Sequence, residues 1–361
     1  MNMQISRETN KDALVCTMSG MIPRTLEAEP EKLAFPTIAE RLEGASTSGL
    51  LQRAVRAVQR ACGAFEWVAF GYFCFLNAAI AIFARHLPHA SWYVALDTAV
   101  AGSILMVCLA ADRLSGSREA ARSWLGATVQ CVRLWYPQAV FLFCFEELGK
   151  LVHLVFPQWF DRYLIAFDHA LTGVHPSVWL GQFSQPVLND VIQLAYISYF
   201  VYLTIVGVAL ERRGQRRAFW AVMTSSMAAY VVGYVISIFF PIESPWFALA
   251  PLQHGDLAGG PFTGLISLIE RLGRVHGAAF PSAHVSGSTV ALLGAWRYDR
   301  KLFWWFLPSY LGMLFSTVYG RYHYVADVFA GIAVGFLGFW AGHLLMRCQG
   351  ALPGEPREEE N

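Results

Sequence analysis

Long apolar stretches of about 20 residues, separated by short polar joints, dominate the chain from residue 64 onward. An α-helix of that length crosses the hydrocarbon core of a bilayer, which is about 30 Å thick. The pattern therefore predicts an all-α fold, a polytopic transmembrane helical bundle with about eight spans. The predicted spans are residues 64–84, 91–111, 134–156, 188–210, 218–240, 281–297, 302–320 and 326–346.

Composition supports the same class of protein. Of the 361 residues, 55% are hydrophobic and 15% are charged, whereas a soluble domain carries about 25% charged residues. The net charge is +1 and the basic residues stand in short clusters between apolar runs, so we expect no nucleic-acid partner. The seven cysteines form no C-x-x-C pair, which argues against a disulfide framework or a zinc site.

The basic clusters predict the orientation of the bundle. If all eight spans cross, every cluster falls on one side, and the positive-inside tendency assigns that side to the cytoplasm together with both termini. The opposite, extracytoplasmic face then holds the joints at 157–186, 241–280 and 320–325, and the first two contain amphipathic stretches. The clusters are Arg53, Arg56 and Arg60; Arg113, Arg118 and Arg122; Arg212, Arg213, Arg216 and Arg217; Arg297, Arg300 and Lys301; and Arg347.

A Pro-Ser-x-His sequence opens the sixth span on the extracytoplasmic face. Pro281 suits the first turn of a helix, where its missing N–H costs nothing. The free N–H groups of that turn and the Ser282 hydroxyl form a natural seat for an anion. His284 would then lie within one turn of the bound anion.

A His-x-x-x-Asp sequence opens the eighth span on the same face. His323 and Asp327 are four residues apart, so on a helix they share a face. A carboxylate there can hold one imidazole nitrogen and leave the other free as a nucleophile. Because ionisable groups at membrane depth are costly and commonly functional, the two clusters together predict a catalytic site.

Other interpretations of these residues stay open at this point. Each histidine could be an interfacial or packed side chain, and His323 with Asp327 could be a simple hydrogen-bonded couple. Two histidines and one aspartate could also bind a metal, in which case hydrolysis would depend on that metal. A transporter or scaffold that kept the fold and lost the chemistry is the alternative from another class.

On Phe280-Pro-Ser-Ala-His284 and His323-Tyr-Val-Ala-Asp327, the chain resembles the type 2 phosphatidic acid phosphatase superfamily, over roughly residues 135–345. The resemblance implies a six-helix membrane core and catalysis through a phospho-histidine. His323 would attack phosphorus, with Asp327 orienting it. His284 would protonate the leaving oxygen, and Ser282 would bind a phosphate oxygen. The resemblance implies neither a metal nor a cofactor.

The basic residues of the common family pattern are missing from their usual places. Where the first motif has Lys-x6-Arg-Pro, this chain reads Ser237 to Ser244-Pro245; where the third has Ser-Arg, it reads Ser316-Thr317. These departures resemble the branch that contains inositol phosphorylceramide synthases. Further parallels with that branch are Asp161, Asp168 and Gly173 in an Asp-x6-Asp-x4-Gly pattern, and the region from Tyr196 to Tyr202.

A transferred phosphoryl group needs donors for its negative charge, and three other basic residues could supply them. These candidates are Arg321, Arg274 and Lys150. Arg274 could equally belong to a solvated helix face, and Lys150 to an internal ion pair. A phosphodiester carries less charge than a phosphomonoester, so a site with few cations favours head-group transfer over monoester hydrolysis.

The predicted organisation has four parts. Residues 1–60 are a cytoplasmic tail without an evident cleaved signal peptide, and residues 61–112 hold two additional transmembrane helices. Residues 134–346 form the six-helix catalytic core, and residues 347–361 an acidic cytoplasmic tail. The leading hypothesis is a lipid phosphotransferase that moves a phospho head group from a phospholipid to a lipid alcohol. A lipid phosphate monoester phosphatase is its alternative.

Overall fold

A computed structural model describes residues 47–83, 85, 87–116, 119, 123–273, 275–349 and 352. Regular structure within these ranges is helical, without a strand, so the all-α prediction is confirmed. The helices are α1 (Thr47–Ala61), α2 (Ala64–Phe83), α3 (Ala90–Ser115), α4 (Trp124–Leu151), α5 (Asp161–Thr172), α6 (Pro176–Gly181), α7 (Pro186–Ile197), α8 (Tyr199–Arg212), α9 (Arg216–Phe239), α10 (Pro245–Ala248), α11 (Pro261–Gly273), α12 (Ala283–Tyr298), α13 (Arg300–Tyr319) and α14 (Val325–Cys348).

Each predicted span coincides with a helix, or with the pair α7 and α8, which are separated only by Ser198. By length and composition, five described segments could cross a membrane. These are α2, α3, α7 with α8, α9 and α14. Helix α12 has only 16 residues, and α4 carries several charged side chains. The five apolar segments fit an integral membrane protein, while the count of eight stays a prediction.

The start of α4 differs most from its predicted span. The helix begins at Trp124 rather than at residue 134, with Ser123 accepting a hydrogen bond from the Gly126 N–H as its N-cap. Arg133, the residue just before the predicted span, is buried inside the helix. Its Nη1 lies 2.5 Å from the Glu66 carboxylate on α2. Because this partner neutralises the charge, the arginine does not end the helix.

The three helices α9, α12 and α14 form the centre of the bundle, with α8 and α13 beside α12 and with α2 against α9. Two glycines permit the close approach of α14 to α9. A Cβ on Gly338 would overlap the backbone of Ala229, and one on Gly342 would overlap the backbone of Ser225. Small residues four apart are a common device for close helix packing in membranes.

Short helices occupy the two joints where the sequence predicts amphipathic stretches. Helices α5 and α6 lie in the segment 157–186, and α11 in the segment 241–280. Helix α5 contacts α14, and α11 contacts α7. Helix α5 therefore lies against α14, the helix that begins within the second histidine motif.

Candidate active site

The turn between α13 and α14 presents His323, and the first turn of α14 presents Asp327. The His323 Nδ1 lies 3.2 Å from Asp327 Oδ2 and 3.0 Å from the Ala279 carbonyl oxygen. The same carboxylate oxygen accepts the Tyr324 N–H at 2.8 Å. Two acceptors at Nδ1 fix both the ring orientation and the proton position, which leaves Nε2 with a free lone pair.

His284 lies in the first turn of α12 and meets His323 directly. Its Nδ1 is 3.1 Å from His323 Nε2, although the two residues are 39 positions apart in the chain. The Tyr196 hydroxyl on α7 lies 3.1 Å from His284 Nε2. The structure thus brings together the three residues that the sequence predicts as catalytic, and adds a tyrosine.

The proton positions in this chain of hydrogen bonds follow from one fixed acceptor. The Ala279 carbonyl can only accept, so His323 Nδ1 carries a proton. A neutral His323 then accepts at Nε2, which makes His284 Nδ1 a donor and His284 Nε2 an acceptor for the Tyr196 O–H. With both imidazoles neutral, every contact from Tyr196 to Asp327 has a donor and an acceptor.

Burial favours the neutral form of His323, which is 4% exposed. Removal from water lowers the pKa of this imidazole to about 4, against the opposite effect of its hydrogen bond to Ala279. At neutral pH the ring is therefore unprotonated at Nε2. This is the protonation state that a nucleophile requires.

Two aspartates of α5 hold the frame around the histidines. The Asp168 carboxylate accepts the Val325 N–H at 2.8 Å and the Ala326 N–H at 3.0 Å, and so caps the start of α14. The Asp161 carboxylate accepts the Tyr324 hydroxyl at 2.7 Å and two N–H groups of residues 243–244. The two aspartates therefore position the turn that carries His323.

Both histidines line a cavity of 370 Å³, which we name the histidine cavity. Aromatic side chains provide much of its wall, and three carboxylates, those of Glu146, Glu243 and Glu270, also line it. Of the described lining residues, none is a lysine or an arginine. The aromatic lining residues are Phe145, Tyr196, Tyr199, Phe200, Trp246, Phe247 and Tyr322.

Ser282 has a structural contact in place of the predicted phosphate contact. Its Oγ accepts the Val285 N–H at 3.3 Å as the N-cap of α12, and its backbone N–H donates to the Asp327 carbonyl at 3.2 Å. The residue is fully buried and does not line the histidine cavity. Phosphate binding by Ser282 therefore stays a prediction, and the contacts described for this residue do not support it.

Arg321 stands two residues before His323 but points elsewhere. Its backbone adopts a φ of 67°, and its Nη1 donates to the Gly255 carbonyl at 2.8 Å. The side chain is 4% exposed, with Nε and Nη2 unpartnered, and burial lowers the pKa of its guanidinium. It does not line the histidine cavity, but its Cζ lies 5.8 Å from the ring of Trp246, which does.

The other two predicted cations are not part of this geometry. Lys150 is exposed at the end of α4 and does not line the histidine cavity. Arg274 lies outside the described residues. Within the described ranges, no group of three or more His, Cys, Asp or Glu side chains could hold a metal ion.

Tyr196, the Ala279 carbonyl and the three glutamates had no predicted role in the site. The sequence carries a partial signal for Tyr196, which lies within one of the regions of family resemblance. The glutamates come from three separate segments of the chain, and only the fold brings them to one cavity. No spacing rule could have connected them.

Comparisons with known proteins point to one family. A PA-phosphatase related-family protein of Dictyostelium discoideum is 23% identical over 199 residues, which cover 49% of this chain and 35% of that protein. The chain therefore spans about a third of the length of this curated relative, and no solved structure matches it. A family model described as PAP2 superfamily matches residues 162–341, a segment that contains both histidine motifs. The chain belongs to the PAP2 superfamily, the type 2 phosphatidic acid phosphatase superfamily.

Proposed function

We propose that this protein transfers a phospho head group from a phospholipid to a lipid alcohol through a phospho-histidine at His323. One observation carries the proposal. His323 Nε2, the nitrogen left free by the hydrogen bonds at Nδ1, faces His284 Nδ1 at 3.1 Å inside the histidine cavity. When a phosphate ester enters, it replaces this hydrogen bond and separates the two rings. Phosphorus then faces the nucleophile, and the leaving oxygen on its far side faces the acid.

In the first half of the reaction, the His323 Nε2 lone pair attacks phosphorus and forms an N–P bond. The bound anionic phosphodiester favours a His284 ring that is protonated on both nitrogens. As the P–O bond to the diacylglycerol oxygen of the donor breaks, this ring gives its Nδ1 proton to that oxygen and becomes neutral. Asp327 and the Ala279 carbonyl stabilise the positive charge that develops on the His323 ring. The Tyr196 hydroxyl keeps the His284 ring in place.

In the second half, His284 acts as the base. It takes the proton of the acceptor hydroxyl while that oxygen attacks phosphorus and the N–P bond breaks, which restores both imidazoles. A lipid alcohol as acceptor gives transfer, and water gives hydrolysis. The same two residues serve both outcomes, so the acceptor alone separates the two activities.

The lining of the histidine cavity supports a donor of low negative charge. Three carboxylates line the cavity, and its described lining includes no lysine or arginine. The carboxylates would repel a phosphomonoester dianion. They would repel a phosphodiester less, because it carries only one negative charge. The glutamates can also accept hydrogen bonds from hydroxyl or ammonium groups of a head group. The aromatic walls suit a ligand that is partly apolar.

The test is a product analysis. Purified full-length protein is incubated with phospholipids labelled in the head group, with and without a lipid alcohol, beside a His323→Asn control. We expect labelled head group on the alcohol, and loss of that product in the control. If free phosphate or free head-group phosphate is the sole product, the protein is a hydrolase and the transfer proposal is wrong. Turnover that the control retains would refute the histidine mechanism.

A further inference from the structure

A second large cavity lies among the opposite ends of α9, α12 and α14 from the two histidine motifs. Its volume is 560 Å³, and arginines from all three helices line it. Arg216 and Arg217 come from the start of α9, Arg297 from the last turn of α12 and Arg347 from the last turn of α14. No aspartate or glutamate is among its described lining residues. We name it the arginine cavity.

The start of α9 adds to the positive potential of the arginine cavity. Gln215 is the N-cap residue, and no side chain caps this helix end. The first turn, Gln215 to Ala218, lines the cavity. The unsatisfied N–H groups and the positive end of the dipole of a 24-residue helix therefore face the same space as the guanidinium groups.

The polar residues at the arginine cavity do not cancel this charge. His343 Nδ1 faces the Phe339 carbonyl at 2.8 Å, and its Nε2 lies 2.9 Å from the Tyr298 hydroxyl. Since a carbonyl can only accept, Nδ1 donates and Nε2 accepts the tyrosine proton. His343 and Tyr298 thus satisfy each other and form a fixed, neutral part of the lining.

The positive-inside tendency explains why arginines gather at this end, but it does not explain their convergence on one cavity. Two of the four form an ion pair or a hydrogen bond within the protein, and the Cζ of a third, Arg297, lies 5.6 Å from the centre of the Tyr298 ring. Arg216 Nε lies 3.3 Å from a Glu211 oxygen, and Arg217 Nη2 donates to the Met346 carbonyl at 3.0 Å. Neither Arg297 nor Arg347 forms an ion pair with a residue in the described ranges. Both guanidinium groups are therefore available to an anion.

We propose that the arginine cavity binds the phosphate-bearing head group of an anionic membrane lipid. Guanidinium groups match phosphate oxygens in pairs of parallel hydrogen bonds, and basic pockets between membrane helices are suited to such head groups. This site is independent of the proposed chemistry at His323, because it lies at the other end of the bundle.

The surface beside Arg347 favours a lipid over a free phosphate ion. Leu344 and Trp340 precede Arg347 by three and seven residues, so they continue the same face of α14 away from the cavity. They are 45% and 67% exposed, in a segment apolar enough to cross a membrane. An acyl chain can lie along this stripe while its phosphate meets the arginines.

The experiment measures lipid binding to full-length protein by native mass spectrometry. Every protein carries His323→Asn, so that the probe lipid is not consumed. The probes are phosphatidic acid and, as a zwitterionic comparison, phosphatidylcholine. The test variant is Arg297→Gln with Arg347→Gln. Its matched control, Arg212→Gln with Lys301→Gln, removes the same charge from exposed positions outside the cavity.

We expect the test variant to bind phosphatidic acid about thirtyfold more weakly, since each arginine near a membrane surface contributes about 1 kcal/mol. The matched control should stay within about twofold. The variant Arg297→Lys with Arg347→Lys keeps both charges but loses the paired hydrogen bonds. It should therefore bind phosphatidic acid more tightly than the test variant and more weakly than the parent protein.

Three results would overturn the proposal. One is equal weakening in the test variant and its matched control. Another is equal binding of phosphatidic acid and phosphatidylcholine. The third is displacement of the lipid by inorganic phosphate at a similar concentration, which would assign the cavity to a soluble anion.

Discussion

The two ends of α9, α12 and α14 hold cavities of opposite character. The histidine cavity is lined by three glutamates and many aromatic rings, and its described lining lacks lysine and arginine. The arginine cavity is lined by four arginines and, among its described residues, by no carboxylate. Charge alone would direct phosphate chemistry to the arginines. We propose the other end instead, because His284, His323 and Asp327 meet there.

A site that binds an anionic group and a site that reacts with one need different side chains. A site that only holds a phosphate gains from many fixed cations. A site that transfers one needs a nucleophile in a fixed protonation state, and donors that match the charge as it develops. The neutral, buried His323 meets the first of these needs at the histidine cavity.

The largest contrast between the two cavities comes from replacing one histidine in each. His323→Ala should lower the turnover rate by about 10⁴-fold, because the nucleophile is lost. His343→Asn, at the arginine cavity, should leave the rate within about twofold. Both are measured as product formation from a labelled phospholipid, at equal amounts of folded protein. Equal losses in both variants would contradict the division of roles between the cavities.

Replacement of His284 tests whether it acts as the proton donor in the histidine cavity. His284→Ala should lower the rate by about 10³-fold for a lipid alcohol leaving group, because the proton donor is gone. The loss should shrink to about tenfold with an activated leaving group such as p-nitrophenol, which needs no proton. The ratio of the two losses is the measurement. An equal loss of rate with both leaving groups would show that His284 is not the general acid.

The pH dependence tests the burial of His323. The neutral ring is the reactive form and predominates above its pKa, which burial lowers to about 4. The acid limb of kcat/KM, which reports free-enzyme groups, should therefore fall near pH 4 rather than at the usual histidine value of about 6.5. At pH 5 the protein should keep most of its activity. An acid limb centred near pH 6.5 would show that His323 is solvated.

The smallest effect is expected at Tyr196. Tyr196→Phe removes the hydroxyl that donates to His284 Nε2, and a net loss of about 1 kcal/mol corresponds to a rate about fivefold lower. Tyr199, which also lines the histidine cavity, supplies a matched control as Tyr199→Phe. Rates on the same labelled phospholipid decide the comparison. A larger loss of rate in Tyr199→Phe than in Tyr196→Phe would show that Tyr196 is not the tyrosine that supports His284.

Much of the fold follows from the sequence, because hydropathy determines which segments can enter a membrane. The two histidine motifs were equally easy to identify, since each is a short continuous sequence at the start of a helix. The start of α4 was not predictable, because the partner of Arg133 is Glu66, 67 positions earlier in the chain. A pairing at that distance leaves no local pattern.

The surroundings of the histidines were the least predictable part of the site. Arg321 is close to His323 in the sequence, but its left-handed backbone and its bond to Gly255 turn it away from the histidine cavity. Ser282 shares the Pro-Ser-x-His motif, but its Oγ caps α12. The sequence thus predicted which histidines and aspartate come together, but not the direction in which neighbouring side chains point.

The most direct test of the central claim is to trap the phosphorylated protein. Full-length protein is mixed with a phosphate-labelled phospholipid without acceptor and quenched in alkali, in which phosphohistidine survives. Peptide mass spectrometry then locates the label. We expect label on the peptide that contains His323, loss of the label when a lipid alcohol is added, and no label in His323→Asn. Full catalytic turnover without label on His323 would contradict the central claim.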